Sequence, residues 1–412
     1  MIFPSQKLNF WHIGCMLGAS VGLPGTFFGH TIAKQYGAGT AITSIILGNL
    51  IVWTIAFSII FISTQKKCST ADLARESLGE WGAITALGCL ILGLVGWFTV
   101  QTDSAATTIV KILHGHIYHT KDFGLRIGAV LGLIVTLLAT GGIQMIRRCC
   151  VFALPFLLLF SIYLIIKNPL KINFSDSWGF SLAATTIVAA SVIPGTIYYP
   201  VIFRHSRSKA DSFLAISIMT ISTIIIECSY VCADFDNFII DKNSGPAFII
   251  SCLLALIFLL LSYMTINLIN IYLAIGSWTD LIKSSIDGRV YAVGGLVGTI
   301  TYIFIQLSAA FYFFQSLISG FLINLGLVLL VSVLINKVVK HRPIVSSKLI
   351  NSASWMAGCA TSLMTQIRHP EDSYSSIING IGVTLLAFIL ILFVEEILWA
   401  IKQGRKEGPS WH

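Results

Sequence analysis

Two short stretches, Val21-Gly22-Leu23-Pro24-Gly25-Thr26-Phe27-Phe28 and Val192-Ile193-Pro194-Gly195-Thr196-Ile197-Tyr198-Tyr199, share the order Pro-Gly-Thr followed by aromatic residues. Each lies in the middle of a long apolar segment. Proline removes a helical N–H donor, and glycine accepts the conformations of an unwound segment. Because unwound backbone at membrane depth survives only where it lines a cavity, the two stretches predict two interrupted membrane helices beside a central cavity.

Long apolar segments recur along the whole chain. Of its 412 residues, 56% are hydrophobic and 11% are charged, against about 25% charged in a soluble domain. A spanning helix needs about 20 mostly apolar residues. We therefore predict an all-α polytopic membrane protein with about twelve transmembrane helices, at 11–35, 38–63, 82–112, 125–143, 150–166, 181–203, 212–233, 246–276, 289–308, 312–337, 351–367 and 377–402.

The basic residues predict the orientation of these spans. Most of the 26 Lys and Arg residues fall in the loops on one side of the membrane. By the positive-inside rule that side is cytoplasmic, which places both termini inside and predicts a multi-pass protein of the cell inner membrane. The net charge of +8 is then a topology signal. Because the basic residues are spread over every inner loop, we expect no nucleic-acid partner.

The two interruptions also predict an internal repeat. They fall in the first and sixth predicted spans, and an offset of five helices gives the two spans opposite orientations. Paired interrupted helices in the two halves of a transporter mark its substrate site. We predict a first inverted repeat at 1–170 (helices 1–5), a second at 171–340 (helices 6–10), and two peripheral C-terminal helices at 341–412.

Further motifs occur in order along the chain: Gly48-Asn49-Leu50, Leu73-Ala74-Arg75-Glu76-Ser77-Leu78-Gly79 and Val95-Gly96-Trp97-Phe98. On these residues, and on the interrupted sixth span, the chain resembles the nucleobase:cation symporter-1 family, and most closely its cytosine permease branch. The resemblance implies twelve helices, ten of them in a five-plus-five inverted-repeat core with broken helices 1 and 6. It also implies uptake of cytosine or a related nucleobase or pyrimidine, driven by Na⁺ or H⁺.

The resemblance also implies a substrate site. In the hydantoin-permease branch of the family, a Trp and a Gln four residues later on the third helix bind the ring, and Trp97 and Gln101 have that spacing. A flat heterocycle stacks on an indole, and an amide matches a ring N–H beside a C=O. The expected backbone contacts are at Gly25 and Gly195. A further amide comes from Asn267 or Asn270 on the eighth span, and which of them faces the substrate stays open.

Two sets of groups are candidates for coupling. The resemblance implies Ser262 and Thr265 as hydroxyl ligands of Na⁺, with carbonyls around Gly22 and Gly25, although the family's second hydroxyl falls on Ile266. Oxygen ligands suit this hard cation, and no other cofactor is expected. The alternative is a proton carried by Asp103 in the third span, because an intramembrane carboxylate is by default a functional hypothesis. A second carboxylate, Glu227, interrupts the seventh span and raises the same functional hypothesis; the alternative is that it simply reaches water, because it lies near the outer end of that span.

Other functions stay open at this point. A permease of the same fold for an amino acid or a thiamine-precursor pyrimidine would use the same interrupted helices, although the Trp97–Gln101 pair suits a planar neutral ring better than a zwitterion. An enzyme is not expected, because no intramembrane histidine lies within a helical turn of an acid. Nothing in the sequence resembles a channel filter. We expect a monomer in the lipid bilayer that binds a small heterocycle.

Overall fold

The computed structural model describes residues 7–66, 68–114, 121–167, 178–232, 246–282, 288–305, 309–338, 347–369 and 373–406. These ranges contain fourteen helices. In chain order they are α1 (Phe10–Ala19), α2 (Gly22–Tyr36), α3 (Ala38–Lys66), α4 (Thr70–His114), α5 (Lys121–Ala139), α6 (Gly142–Lys167), α7 (Leu182–Thr196), α8 (Tyr199–Phe203), α9 (Lys209–Cys232), α10 (Pro246–Ile282), α11 (Gly288–Phe304), α12 (Ala309–Val338), α13 (Ser347–Arg368) and α14 (Ser373–Lys406).

The helices match the predicted spans one by one. Spans 1 and 6 are each two helices, α1 with α2 and α7 with α8, and the other ten spans are one helix each. Seven helices in the described part of the chain are long and apolar enough to cross a membrane, and three further apolar stretches are shorter. Two of the shorter ones are α1 and α7, the first halves of the interrupted spans. The all-α class and the broken helices 1 and 6 are thus confirmed.

The interruptions fall at one end of each stretch, next to the Pro-Gly-Thr residues and not at them. In the first span the break is at Ser20 and Val21, and Pro24 is the third residue of α2. The first four N–H groups of a helix have no intrahelical partner, so a proline costs nothing there. In the sixth span α7 runs through Pro194 and ends at Thr196. Proline clashes with the preceding turn, and the helix stops two residues later.

The chain divides into two units, and the larger one consists of Met1–Thr70 with Leu90–Gln315. In it, α1 packs on α9, α3 on α7, and α5 on α11. An inverted repeat relates span 1 to span 6 and span 2 to span 7. The contact of spans 1 and 7 (α1 and α9) therefore has its counterpart in the contact of spans 6 and 2 (α7 and α3), and both are present. The packing agrees with the inverted-repeat prediction.

The smaller unit consists of Ala71–Cys89 with Ser316–His412. Here α13 and α14 are the most closely packed pair of helices. Within α4, Gly79 has a φ of 79°, a left-handed conformation that favours glycine and bends the helix. The motif at 73–79 is therefore a helical turn that ends in a glycine bend, where an inner loop was predicted. The repeat boundaries at 1–170, 171–340 and 341–412 stay a prediction.

Candidate substrate and ion site

The first break brings the end of α1 against α10. Thr265 of α10 donates a hydrogen bond of 2.8 Å from its Oγ1 to the carbonyl oxygen of Ala19, the last residue of α1. The same hydroxyl lies 2.8 Å from Leu261 O within its own helix. Carbonyls at the end of a helix have no intrahelical partner, so a side-chain donor from another helix satisfies one of them. A hydroxyl of α10 thus reaches the interrupted first span.

The second break contacts α4 and its N-terminal residue. Thr70 Oγ1 donates a hydrogen bond of 2.7 Å to the carbonyl oxygen of Ile197, and Tyr198 Oη donates one of 3.1 Å to Leu90 O. Both Ile197 and Tyr198 lie between α7 and α8. The interrupted sixth span is therefore anchored to α4 about two helical turns before Trp97.

The predicted ring-binding pair lies on α4 in a segment that packs on two other helices. Phe98 packs against α11, where a Cβ added to Gly298 would lie 2.7 Å from Phe98 Cδ1. Thr102 Oγ1 lies 3.2 Å from Tyr263 Oη of α10. Next to these contacts in the sequence, Trp97 is half-buried, and Gln101 is 4% exposed. The Oε1 atom of Gln101 has no hydrogen-bond partner among the described residues.

The polar residues of α10 follow Tyr263 along the same helix. Asn270 Nδ2 donates a hydrogen bond of 3.1 Å to Asn267 Oδ1. Asn267 is fully buried and its side chain interacts with Tyr263, but its Nδ2 has no hydrogen-bond partner of good geometry among the described residues. Ser262 is also fully buried, and its hydroxyl is unpartnered within the same part of the chain. Buried polar atoms are almost always hydrogen-bonded, so three such atoms on α4 and α10, close to the Thr102–Tyr263 contact, are typical of a binding site.

The remaining predicted site residues differ in what surrounds them. Gly195 faces open space among the described residues, since an added Cβ would meet no atom of theirs within 4 Å. For Gly22 and Gly25 the structure describes the helical backbone of α2 alone, so their predicted contacts lie outside what it describes. Ile266, which replaces a hydroxyl in the predicted cation site, is buried and brings no oxygen.

The two intramembrane carboxylates have different surroundings from those that the sequence suggested. Asp103 is half-buried and interacts with Tyr302 of α11. Glu227 is 1% exposed, so the alternative that it simply reaches water was wrong. Its Oε2 accepts a hydrogen bond of 2.7 Å from Asn49 Nδ2 of α3. The sequence contained the signal, because Asn49 is also polar in an apolar span, but helical periodicity could not pair it with Glu227.

On the α8 side of the site, polar residues join three helices. Arg204, directly after α8, lies 3.2 Å from Asp280 of α10, measured from Nη1 to Oδ1. His205 Nε2 is 2.6 Å from Tyr272 Oη, and the Tyr272 ring stacks on Tyr291 of α11 at a centroid distance of 6.0 Å. In the predicted topology this group lies at the cytoplasmic end of the core.

Two interrupted helices inside an interlocked helical core define the class of inverted-repeat membrane folds to which many secondary transporters belong. Neither a protein-family model nor a curated protein sequence matches the chain. Solved structures do match it over nearly the whole length. One is Mhp1, a nucleobase-cation-symport-1 family transporter in a closed conformation with bromovinylhydantoin bound, at 13% identity and a TM-score of 0.66, covering 95% of this chain and 94% of that one.

Two other solved transporters are similar to a comparable degree. A Na⁺-coupled sialic acid symporter in a substrate-bound outward-open state matches at 14% identity and a TM-score of 0.67, covering 92% of this chain and 88% of that one. A manganese transporter of Eremococcus coleocola, in complex with an aromatic bis-isothiourea substituted compound, matches at 13% identity and a TM-score of 0.61, covering 95% and 97%. These similarities establish a shared fold, which is the fold implied by the sequence resemblance.

Proposed function

We propose that the chain is a secondary active transporter of the nucleobase:cation symporter-1 type, which imports cytosine or a related base together with a cation. The observation that carries the proposal is the set of buried amide atoms, unpartnered among the described residues, beside the interrupted helices. Gln101 Oε1 can accept a hydrogen bond and Asn267 Nδ2 can donate one. They lie on α4 and α10, which the Thr102–Tyr263 contact holds together.

The chemistry of these groups favours a planar neutral heterocycle. A pyrimidine presents a ring N–H beside a ring C=O, which an acceptor and a donor of fixed position can both satisfy. Trp97 would supply a face for stacking, and the open space at Gly195 leaves room beside the second break. The amide of Asn267 is the better candidate of the two asparagines, because the Oδ1 of Asn267 already holds the Nδ2 of Asn270 in place.

The coupling cation of this proposal is Na⁺ or H⁺. For Na⁺, the ligands would be the hydroxyls of Ser262 and Thr265 with carbonyls of the first break around Gly22. The Thr265–Ala19 hydrogen bond supports the pairing of these two segments. For H⁺, the sequence candidate is Asp103, which lies near Tyr302 and on the opposite side of α4 from Gln101 by helical periodicity.

The proposal includes a location and an alternative substrate class. We place the protein in the inner membrane as a monomer with both termini in the cytoplasm, acting as a transporter and not as an enzyme. The same fold could carry an amino acid, whose carboxylate would need the N–H groups of an interrupted helix. It could also carry a thiamine-precursor pyrimidine, which is another planar heterocycle.

Uptake into proteoliposomes tests the proposal. Purified protein would be assayed with radiolabelled pyrimidines, purines, hydantoins and amino acids, each with and without an imposed sodium or proton gradient. We expect saturable uptake of a planar neutral heterocycle that unlabelled analogues inhibit. Uptake of amino acids with no uptake of any base would contradict the proposal.

A further inference from the structure

A buried carboxyl lies outside the substrate site, where several helices meet. Glu227 of α9 accepts its hydrogen bond from Asn49 Nδ2, which also donates to Ile45 O at 2.9 Å. The Oδ1 atom of Asn49 is buried without a partner among the described residues. Over those residues, Glu227 forms no ion pair with a Lys, Arg or His. A carboxylate removed from water is costly unless a cation pairs with it, so this group requires a functional explanation.

The backbone at Glu227 packs closely against α2, the second half of the first interrupted span. Its carbonyl oxygen lies so close to Gly29 of α2 that any Cβ at position 29 would overlap it. The same Cβ would lie 3.1 Å from Tyr230 Cβ. Helix α9 therefore meets α2 directly at the residue that carries the buried carboxyl.

The residue next to Asn49 is fitted against the other interrupted span. A Cβ added to Gly48 would lie 2.7 Å from Val188 Cβ and 2.9 Å from Thr185 O, both on α7. Two adjacent residues of α3 thus contact different helices: Asn49 forms a hydrogen bond with α9, and Gly48 packs against α7. The Glu227–Asn49 hydrogen bond is therefore next to a close contact with each interrupted helix, α2 and α7.

An apolar cluster separates Glu227 from the end of the core at the α2–α3 turn, which is the outer end in the predicted topology. It begins at Cys228, the residue after Glu227, and draws on four helices. Its members are Ile32, Ala33 and Tyr36 of α2, Ala41 and Ile45 of α3, Ala184, Ile187 and Val188 of α7, and Cys228 and Val231 of α9. Water reaches the carboxyl from this end only when the cluster separates.

The charged and titratable groups around α9 are few near Glu227. Cys228 interacts with it electrostatically, and His30 follows Gly29 on α2. The groups on α9 and the helices packed against it are His12 and Cys15 of α1, His30, Lys34 and Tyr36 of α2, Lys66 of α3, Arg147, Arg148, Cys149, Cys150, Tyr163 and Lys167 of α6, and Lys209, Asp211, Cys228, Tyr230 and Cys232 of α9. His30 is the other group near the carboxyl that could carry a proton.

We propose that Glu227 binds the coupling proton and that Asn49 is its positioning residue, an inference that rests on the proposed function. On loading, hydronium transfers a proton to a carboxylate oxygen of Glu227, which leaves water and a neutral acid. On release, that O–H bond breaks and the proton returns to water on the other side. Asn49 serves both states, because Nδ2 donates to the ionised group and, after the amide rotates, Oδ1 accepts from the acid.

The contacts explain how such a proton would be coupled to transport. A hydrogen bond to an ionised carboxylate is about twice as strong as one between neutral groups. Protonation therefore changes the strength of the α3–α9 link beside the contacts of α2 and α7. Those two helices carry Gly25 and Gly195 of the proposed substrate site, so loading the proton and binding the substrate act on the same two helices.

Proteoliposome transport of the wild type and Glu227→Gln tests the proposal. Glutamine keeps the size of the side chain and a partner for Asn49, but it binds no proton. We expect Glu227→Gln to exchange labelled for unlabelled base at the wild-type rate, and to lose accumulation under a proton gradient and substrate-induced proton uptake. His30→Gln is the matched control and should accumulate base, and Asp103→Asn tests the competing candidate, which by this proposal should accumulate base as well.

Two outcomes of the transport assay would overturn the proposal. One is accumulation by Glu227→Gln under the proton gradient. The other is loss of exchange together with accumulation, while detergent-solubilised protein keeps its wild-type melting temperature, because the residue would then serve substrate binding. Loss of accumulation in Asp103→Asn or His30→Gln, with Glu227→Gln active, would transfer the role to that residue.

A measurement without substrate separates this inference from the proposed function. Infrared difference spectra between acid and alkaline buffers report the C=O band of a protonated carboxylic acid. We expect one such band to be absent in Glu227→Gln and present in Asp103→Asn. If the wild type transports no base and this band is present, the proposed substrate fails while the proton site stands. If Glu227→Gln loses no band, the proton site is wrong whatever the substrate.

Discussion

The hydroxyl of Thr265 lies 2.8 Å from the carbonyl oxygen of Ala19, so a hydrogen bond joins α10 to the end of α1, directly before the break in the first span. In a sodium site, both oxygens would instead point at the cation as ligands. Here the hydroxyl donates its proton to a neighbouring carbonyl, and Ile266 beside it offers no oxygen. The geometry brings Thr265 to the first break, while the chemistry of Ile266 leaves the predicted ligand set one hydroxyl short.

Thr265→Val tests the sodium hypothesis, because valine keeps the shape and removes the hydroxyl. If the proton is the coupling ion, we expect a loss of about 1 kcal/mol in stability from the lost hydrogen bond. Sodium should have no effect on uptake in the wild type or the variant. Thr265→Ser, which keeps the hydroxyl, is the control. Sodium-driven accumulation that the wild type and Thr265→Ser show and Thr265→Val lacks would establish the sodium site instead.

Trp97→Ala tests stacking of the substrate. If the indole stacks on a flat ring, its loss should weaken binding by about 1–3 kcal/mol, and Trp97→Phe should keep part of the affinity. Trp81 is a matched control, since it lies on the same helix and is 82% exposed. Binding would be measured by isothermal titration of the solubilised protein. Equal affinity in Trp97→Ala and wild type would remove Trp97 from the site.

Gln101→Leu tests the unpartnered acceptor on α4. Leucine fills a similar volume, so the fold should persist, but a polar edge of the substrate loses its partner at a cost of about 1–3 kcal/mol. Gln101→Glu should bind a neutral base more weakly still, because it brings a charge into the site. Asn324, a buried amide in the smaller unit whose Oδ1 also has no partner in the described ranges, provides the control as Asn324→Leu. If both leucine variants weaken binding alike, Gln101 is structural.

The sequence was sufficient for the number of spans, the all-α class and the presence of two interruptions. These follow from composition and from residues such as Pro24 and Pro194, whose effects are local. Where each helix actually breaks depends on position within the helix: Pro24 is harmless in a first turn, whereas Pro194 precedes the end of α7. The local sequence identifies the proline in each span. Whether the helix is interrupted at that proline depends on how far the proline lies from the helix end.

Contacts between distant residues could not be predicted in this way. Asn49 and Glu227 are separated by 178 positions, and periodicity gives each a helix face without saying which faces meet. Near the end of its span, Glu227 looked accessible to water because most of the apolar cluster that covers it comes from three other helices. The Thr265–Ala19 hydrogen bond joins residues 246 positions apart. Only the family resemblance predicted that these two segments lie together.

We expect the ion pair between Arg204 and Asp280 to stabilise the conformation in which the core is closed at its α8 end. The side chains are 15% and 21% exposed, so water and salt screen the pair in part. We expect Asp280→Asn to favour the conformation open at that end by about 1 kcal/mol, or roughly fivefold in population. Exchange of base should then be faster, and labelling of a cysteine introduced at Ser277, which is buried one turn before Asp280, should rise.

A double-mutant cycle separates the ion pair from other effects of each residue. Arg204→Gln and Asp280→Asn would be compared with the double variant, and the coupling should be about 1 kcal/mol if the two charges act on each other. High salt should reduce the difference between wild type and Asp280→Asn, because an exposed fraction of the pair is screened. His205→Gln in the same assay reports on the neighbouring Tyr272 contact. Labelling that is equal in all variants, at low and high salt, would show that this contact does not hold the core closed.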